Sequence, residues 1–120
     1  MKFGAWIPSF SRHKMDYSEA EGIREYARNA EDLGFDGVWV IDHLLYAPGL
    51  YGISWLEPMS VLSHVAAVTK RVRIGTSILV LPLRNPVLLA KEIATLDFLS
   101  GGRYVFGIGP GWYEREFEVT

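Results

Sequence analysis

The stretch VRIGTSILVLPLRNP, from Val72 to Pro86, limits the possible folds more than any other part of the chain. Val72, Ile74, Ile78, Leu79, Val80 and Leu81 make an almost unbroken apolar run. A run of that kind suits a strand covered on both faces better than a half-solvated one. Gly75, Thr76 and Ser77 interrupt it with three small residues where large apolar ones are expected. Glycine inside a strand marks a bulge or a close approach of backbone to another group. Pro82 and Pro86 stop the strand, and Pro86 suits the first turn of a helix. Two readings of the small residues stay open. They shape a strand end on which a flat ligand rests, or they make room for a bulky neighbour in a packed barrel.

The other segments repeat the alternation. Lys2 to Ile7 reads as a strand closed by Pro8, and Ser9 to Tyr17 as a polar loop. Ser18 with Glu21 has the spacing of a capping box. Ile23, Tyr26, Ala27, Ala30 and Leu33 follow at helical spacing, and Gly34 ends the helix. Asp36-Gly37 turns into a strand, Val38 to Ile41, with Asp42 and His43 at its C-terminal end. A long loop rich in Tyr, Gly and Pro runs from Leu44 to Leu56, and loops of that length are usually functional. Pro58 opens a helix with Met59, Leu62, Val65, Ala66 and Thr69 on one side, and Lys70 and Arg71 favour its end. Val87 to Leu99 forms a third helix, presenting Leu89, Ala90, Ile93, Leu96 and Leu99, and Ser100-Gly101-Gly102 stops it. Arg103 to Ile108 is a fourth apolar strand, punctuated by Gly107, Gly109 and Gly111. Glu114 to Glu118 reads as a solvated helix start.

The order β-α-β-α-β-α-β places a strand roughly every 30–35 residues, the size of a βαβ unit. Residues 1–120 form a single α/β domain with a parallel sheet and helices outside it. No G-x-G-x-x-G follows the first strand and no P-loop is present, which favours half of a (β/α)8 barrel over a doubly wound nucleotide fold. The net charge of −2 gives no electrostatic footprint for nucleic acid or an anionic membrane. The chain has no cysteine, so disulfides, thiolate metal sites and a cysteine nucleophile are excluded. No apolar run is long enough to span a bilayer and no signal-peptide core stands at the N-terminus, so a cytoplasmic protein is expected.

In parallel α/β folds the C-terminal strand ends share one face, where active sites lie. Those ends offer Trp6 and Ser9, then Asp42 and His43, then Thr76 to Leu79, then Gly107 to Trp112. Trp can stack, glycines admit close backbone approach, and an acid–imidazole pair can move a proton near neutral pH. That set suits a flat aromatic ligand better than a phosphate. His13 and His64 read as structural, and three separated histidines have no metal-ligand spacing. Trp39 reads as core, Trp55 as a lid anchor or packing, and Ser77 lacks a partner for a catalytic triad.

AEDLGFDGVWVIDH (Ala30 to His43), the run from Trp55 to Arg103 and YVFGIGPGWYEREF (Tyr104 to Phe117) together resemble the N-terminal part of the bacterial luciferase-like family. These are flavin- or deazaflavin-dependent (β/α)8 enzymes, and GTSILVLPLRNP is most similar to the subgroup using coenzyme F420. The resemblance implies that Asp42 and His43 lie beside the cofactor ring, with His43 as proton donor or acceptor oriented by Asp42. It implies a non-prolyl cis peptide at Ser77-Ile78 backing the ring, with Thr76 and Trp6 nearby. It places Gly109, Pro110, Gly111 and Trp112 in the loop bordering the cofactor. Trp112 stands where F420-dependent sugar-phosphate dehydrogenases of the family carry a Glu, which argues against that activity.

The expected function is therefore F420-dependent hydride exchange with a small organic substrate, with an FMN-dependent monooxygenase as the alternative. Tyr46, Tyr51 and Trp55 are candidates for a wall or lid over the substrate. A barrel needs about 250 residues, so the chain is expected to be a fragment, or else a half-barrel that pairs with itself or another chain. The second possibility carries an alternative of another class, a non-catalytic binding or assembly module and homo-oligomer.

Overall fold

The computed structural model describes residues 1–49 and 52–120. In chain order the elements are β1 (Gly4–Trp6), β2 (Phe10–Ser11), α1 (Glu19–Asp32), β3 (Gly37–Val40), β4 (Ser54–Trp55), α2 (Pro58–Ala66), β5 (Arg73–Thr76), β6 (Leu79–Val80), a 3-10 turn (Leu81–Leu83), α3 (Pro86–Ser100), β7 (Tyr104–Val105), β8 (Ile108–Gly109) and α4 (Glu114–Glu118). The principal sheet is parallel in the order β1-β3-β5-β7, so each crossover helix delivers the chain to the next strand along. Two short ladders sit beyond it: β2 with β4, antiparallel, and β6 with β8, parallel.

Alternation within the strands divides the sheet into two faces. Ile7, Val38, Val40 and Ile74 point toward the helices and are buried with Ile23, Ala27 and Ala30 of α1, Leu62 and Val65 of α2, and Leu89 and Leu96 of α3. The other face carries Gly4, Trp6, Gly37, Trp39, Arg73 and Gly75, the residues of alternate parity. Among the described residues no helix covers that face, so the expectation of strands covered on both faces is met on one only. Trp39 is correspondingly not core. Its indole lies across the neighbouring strands, where a Cβ on Gly4 would sit 2.2 Å from Nε1 and one on Gly75 2.5 Å from Cζ3. Glycine at those two positions gives the ring room to lie flat on the sheet.

The long third strand of the sequence reading is broken in two. β5 ends at Thr76, the Ser77–Ile78 peptide is cis, and the chain resumes as β6. The expected strand Arg103 to Ile108 divides in step into β7 and β8. The boundaries of α1 and α3 agree closely with expectation, whereas α2 ends at Ala66, before the expected Thr69 to Arg71. Ser18 is already helical and makes no side-chain cap. Asp16 takes that role: its Oδ1 accepts from Ser18 N at 2.9 Å, and Asp16 N donates to Glu19 Oε1 at 2.8 Å. Glu21 instead pairs with Arg24 and Arg28. Tyr26, Leu33 and Leu99, placed on apolar faces by spacing, are exposed, and so is Ala90. At α2, Glu57 is the N-cap, accepting from Met59 N and Ser60 N, and Pro58 follows at the first helical position. At α3, Asn85 caps Val87 N and Leu88 N in the same manner ahead of Pro86.

Two side chains lock the helix ends to the strand starts. Glu31 on α1 accepts from the backbone N–H groups of Lys70, Arg71 and Val72, which fixes the entry to β5. Arg103, just before β7, donates to the carbonyls of Ala66, Thr69, Val72 and Ser100 and to the Thr69 hydroxyl. The orphan carbonyls at the end of α2 are satisfied there by a guanidinium. Arg103→Ala is expected to cost about 2–4 kcal/mol, because several carbonyls lose a charged donor together; urea denaturation at constant slope measures it. Burial pushes Glu31 up, but the amides of Val72, Arg71 and Lys70 outweigh it and hold the carboxyl below its ordinary value of 4.5. A depressed carboxyl gives stability that is present above its unfolded value and lost as pH falls through the folded one. Glu31→Gln is expected to flatten the acid limb of the stability profile below pH 4.5, read by thermal melts across pH.

Candidate functional site

The C-terminal strand ends converge on one cavity of about 430 Å³, within the ~300–1,000 Å³ range of small-molecule sites. Asp42, His43, Ser77, Ile78, Gly109, Pro110, Gly111 and Trp112 line it, together with Ile41, Val80 and Glu116. The residues singled out from three separate stretches of sequence are thus brought together, and two other candidates stay outside. Trp6 is more than half exposed and does not line the cavity. Thr76 is buried beneath it, and its hydroxyl donates to Gly107 O at 2.7 Å and accepts from Gly107 N at 3.2 Å. Thr76 therefore holds the site's floor without facing the cavity.

The floor is backbone and small apolar side chains. Ser77 N donates to Val40 O at 2.7 Å and Leu79 N to Gly107 O at 2.8 Å, so the chain on both sides of Ser77–Ile78 is tied to its neighbours. Ile78 rests on Gly109, where an added Cβ would lie 2.8 Å from its Cδ1. The wall is aromatic. Trp112 meets the His43 ring edge-on at 6.3 Å, and Trp55 lies tilted at 5.6 Å from it. Trp55 in turn stacks at 5.0 Å on Phe10, its partner in the β2–β4 ladder. The loop from Leu44 to Leu56 thus reaches the site through Trp55, while Tyr46 is exposed and Tyr51 lies outside the described residues.

The two acids have separate tasks. Asp42 accepts from Val80 N at 2.9 Å through Oδ2 and from Arg84 Nη2 at 2.9 Å through Oδ1. Burial raises its carboxyl above the ordinary value, and the Val80 amide and Arg84 offset this only in part. Arg84 is shared with Glu57, so the end of β3, the 3-10 turn and the N-terminus of α2 are bracketed together. The carboxylate at His43 Nδ1 is a different one, Glu116 at 3.2 Å. This corrects the expectation that Asp42 orients the imidazole. It also corrects the reading of Glu114 to Glu118 as solvated, because Glu116 is only 1% exposed. Nothing in the spacing separates Glu116 from Glu114 and Glu118. The only signal was its position shortly after a strand end that carries site residues.

His13 pairs with Glu19 at 3.6 Å on the surface, and His64 Nε2 lies 3.4 Å from Ala20 O on α1, both away from the cavity. Among the described residues no group of three or more His, Asp or Glu side chains could hold a metal ion. No helix among them is long and apolar enough to cross a membrane. The site offers an imidazole backed by a carboxylate, an apolar floor and an aromatic wall. Such a set can bind a flat ring and exchange a proton with it or with a ligand beside it.

A parallel α/β sheet with its site at the C-terminal strand ends describes a broad class of enzymes. Comparison narrows it: the luciferase-like monooxygenase family matches over residues 1–120, and the chain belongs to that family. It is 32% identical over 120 residues to the alkanal monooxygenase alpha chain of Photorhabdus luminescens, covering 99% of this chain and 32% of that protein. It is 40% identical over 104 residues to the F420-dependent glucose-6-phosphate dehydrogenase of Amycolatopsis mediterranei, covering 80% of this chain and 29% of that protein. The solved oxygenating constituent of 3,6-diketocamphane monooxygenase from Pseudomonas putida, in complex with FMN, superposes with a TM-score of 0.83 over 99% of this chain and 32% of that one, at 23% identity. The chain thus spans about a third of the length of these relatives. Its fold is the N-terminal part of their (β/α)8 barrel, and the family is one of oxidoreductases and monooxygenases.

The tight packing around Gly107 gives a test of the floor. A Cβ there would lie 2.2 Å from Thr76 O, a backbone atom that cannot yield cheaply. Gly107→Ala is expected to cost about 1–3 kcal/mol by overpacking. Gly22→Ala, on α1 with nothing within 4 Å, is expected to gain about 0.5–1 kcal/mol. Parallel urea titrations of the two variants measure both.

Proposed function

We propose that this chain carries the cofactor-ring end of an F420-dependent oxidoreductase, which exchanges a hydride between coenzyme F420 and a small organic substrate. The observation that supports it is the convergence of His43, Ile78 and the Gly109–Trp112 loop on one cavity with an apolar floor. The residues fit a flat tricyclic ring: Gly109 keeps the space under Ile78 clear, and Trp112 and Trp55 flank the imidazole. Ser77, Ile78 and the backbone of Gly109, Pro110 and Gly111 would hold the ring. When bound, the cofactor supplies the hydride chemistry. His43 takes or gives the accompanying proton, and the aromatic wall limits water at the reacting face. Asp42 shapes the strand end through Val80 and Arg84, while the imidazole Nδ1 lies against Glu116.

The choice of F420 is supported by the 40% identity to an F420-dependent enzyme, against 32% to the alkanal monooxygenase chain. The match to that monooxygenase extends over 99% of the chain, which favours a monooxygenase as the second reading.

Titrating the chain with each cofactor separates these readings by fluorescence quenching. Saturable quenching of F420 with little effect on FMN is expected, and tight FMN binding without F420 binding overturns the choice. A chain that binds neither and forms a stable dimer by light scattering supports the binding-module alternative instead. In the active protein, His43→Asn is expected to lower turnover by about 10²–10⁴-fold with cofactor binding largely kept, as for loss of a general acid or base.

A further inference from the structure

Glu116 lies on a five-residue helix between two exposed acids, yet its own side chain is only 1% exposed. One of its oxygens, Oε1, accepts from Leu44 N at 2.7 Å and from Leu45 N at 3.1 Å. The same oxygen stands 3.2 Å from His43 Nδ1. An oxygen that already accepts two backbone N–H groups is an acceptor and not the hydroxyl of a carboxylic acid. A ring nitrogen at hydrogen-bond distance from it must then be the donor. His43 therefore carries a proton on Nδ1, and in the neutral ring the lone pair falls on Nε2.

The oxygens of Asp42 are directed elsewhere, Oδ2 to Val80 N and Oδ1 to Arg84. Glu116 does a second thing at the same atom. By holding the amides of Leu44 and Leu45 it fixes the first residues of the loop whose far end carries Trp55, the aromatic neighbour of the same imidazole. A residue 73 positions away in sequence from His43 thus sets both the ring and the backbone that follows it.

We propose that Glu116 is the positioning residue of the site: its buried carboxylate fixes His43 as the Nδ1–H form and pins the start of the Leu44–Trp55 loop. The proposal rests on the functional reading above only for the importance of His43, and the proton's location stands or falls without a cofactor.

Long-range 1H–15N correlation on the 15N-labelled chain, without added cofactor, reads the tautomer directly. His43→Gln identifies the His43 signals among those of His13 and His64. In the wild-type chain the neutral His43 ring is expected with its proton on Nδ1. Glu116→Gln keeps an acceptor oxygen and is expected to retain that pattern. Glu116→Ala removes the acceptor and is expected to shift the ring toward the Nε2–H form. A wild-type ring protonated on Nε2, or an Nδ1–H pattern unchanged in Glu116→Ala, overturns the proposal. Should Glu116→Ala lose the dispersed amide spectrum of a folded chain, the wild-type spectrum decides alone. A chain showing the Nδ1–H pattern but binding neither F420 nor FMN supports the positioning role while defeating the functional reading.

Discussion

The way β5 ends governs everything at the strand ends. At the buried Thr76 the parallel ladder stops, and the backbone groups it leaves take new partners. The Thr76 hydroxyl answers for both polar groups of Gly107, Ser77 N bonds across to Val40 O, and Leu79 N returns to Gly107 O. The chain on either side of the break is therefore tied to both neighbouring strands. Because Gly107 has no side chain, β7 and β8 can close onto Thr76 without displacement. The chain then resumes as β6 beside β8, and that offset opens the cavity that a continuous strand would fill.

Much of this was legible from residue types. Val38, Val40 and Ile74, with Ile23, Ala27, Leu62, Val65, Leu89 and Leu96 of the three long helices, report burial between sheet and helices, and they are buried. Pro58 and Pro86 mark helix starts because proline's missing N–H costs nothing in a first turn. What the pattern did not reveal has a common cause. A run such as Val72 to Leu81 reads as one strand because apolar character reports burial and not which sheet buries it. Trp39 reads as core for the same reason, although it lies on the face opposite the helices, accommodated by glycines on adjacent strands. Leu33 and Leu99 keep helical spacing while standing exposed, since spacing places a residue on a face only approximately.

Charged residues were the least legible class. Glu31, Asp42, Glu57, Arg84, Arg103 and Glu116 each join segments far apart in sequence, and local pattern carries no record of such partners. Glu57 looks like an ordinary loop acid but caps α2 and shares Arg84 with Asp42. Arg103 looks like a strand's polar edge but closes the end of α2. Neighbouring acids in the Glu114–Glu118 run differ entirely in burial, a difference imposed by what the loop after His43 needs.

These brackets explain how one imidazole is held in place. Before His43, Asp42 is anchored to Val80 N and to Arg84, which Glu57 grips from its other side. After His43, the amides of Leu44 and Leu45 are anchored to Glu116. With the residues on both sides fixed to separate elements, the backbone at His43 has little freedom, and only rotation of its side chain is left to settle. Trp55 and Trp112 limit that rotation sterically, and the Nδ1 contact to Glu116 selects the ring's face and its proton. Backbone N–H donors meet both carboxylates and offset their burial, at Asp42 only in part, so the geometry is set before any ligand arrives.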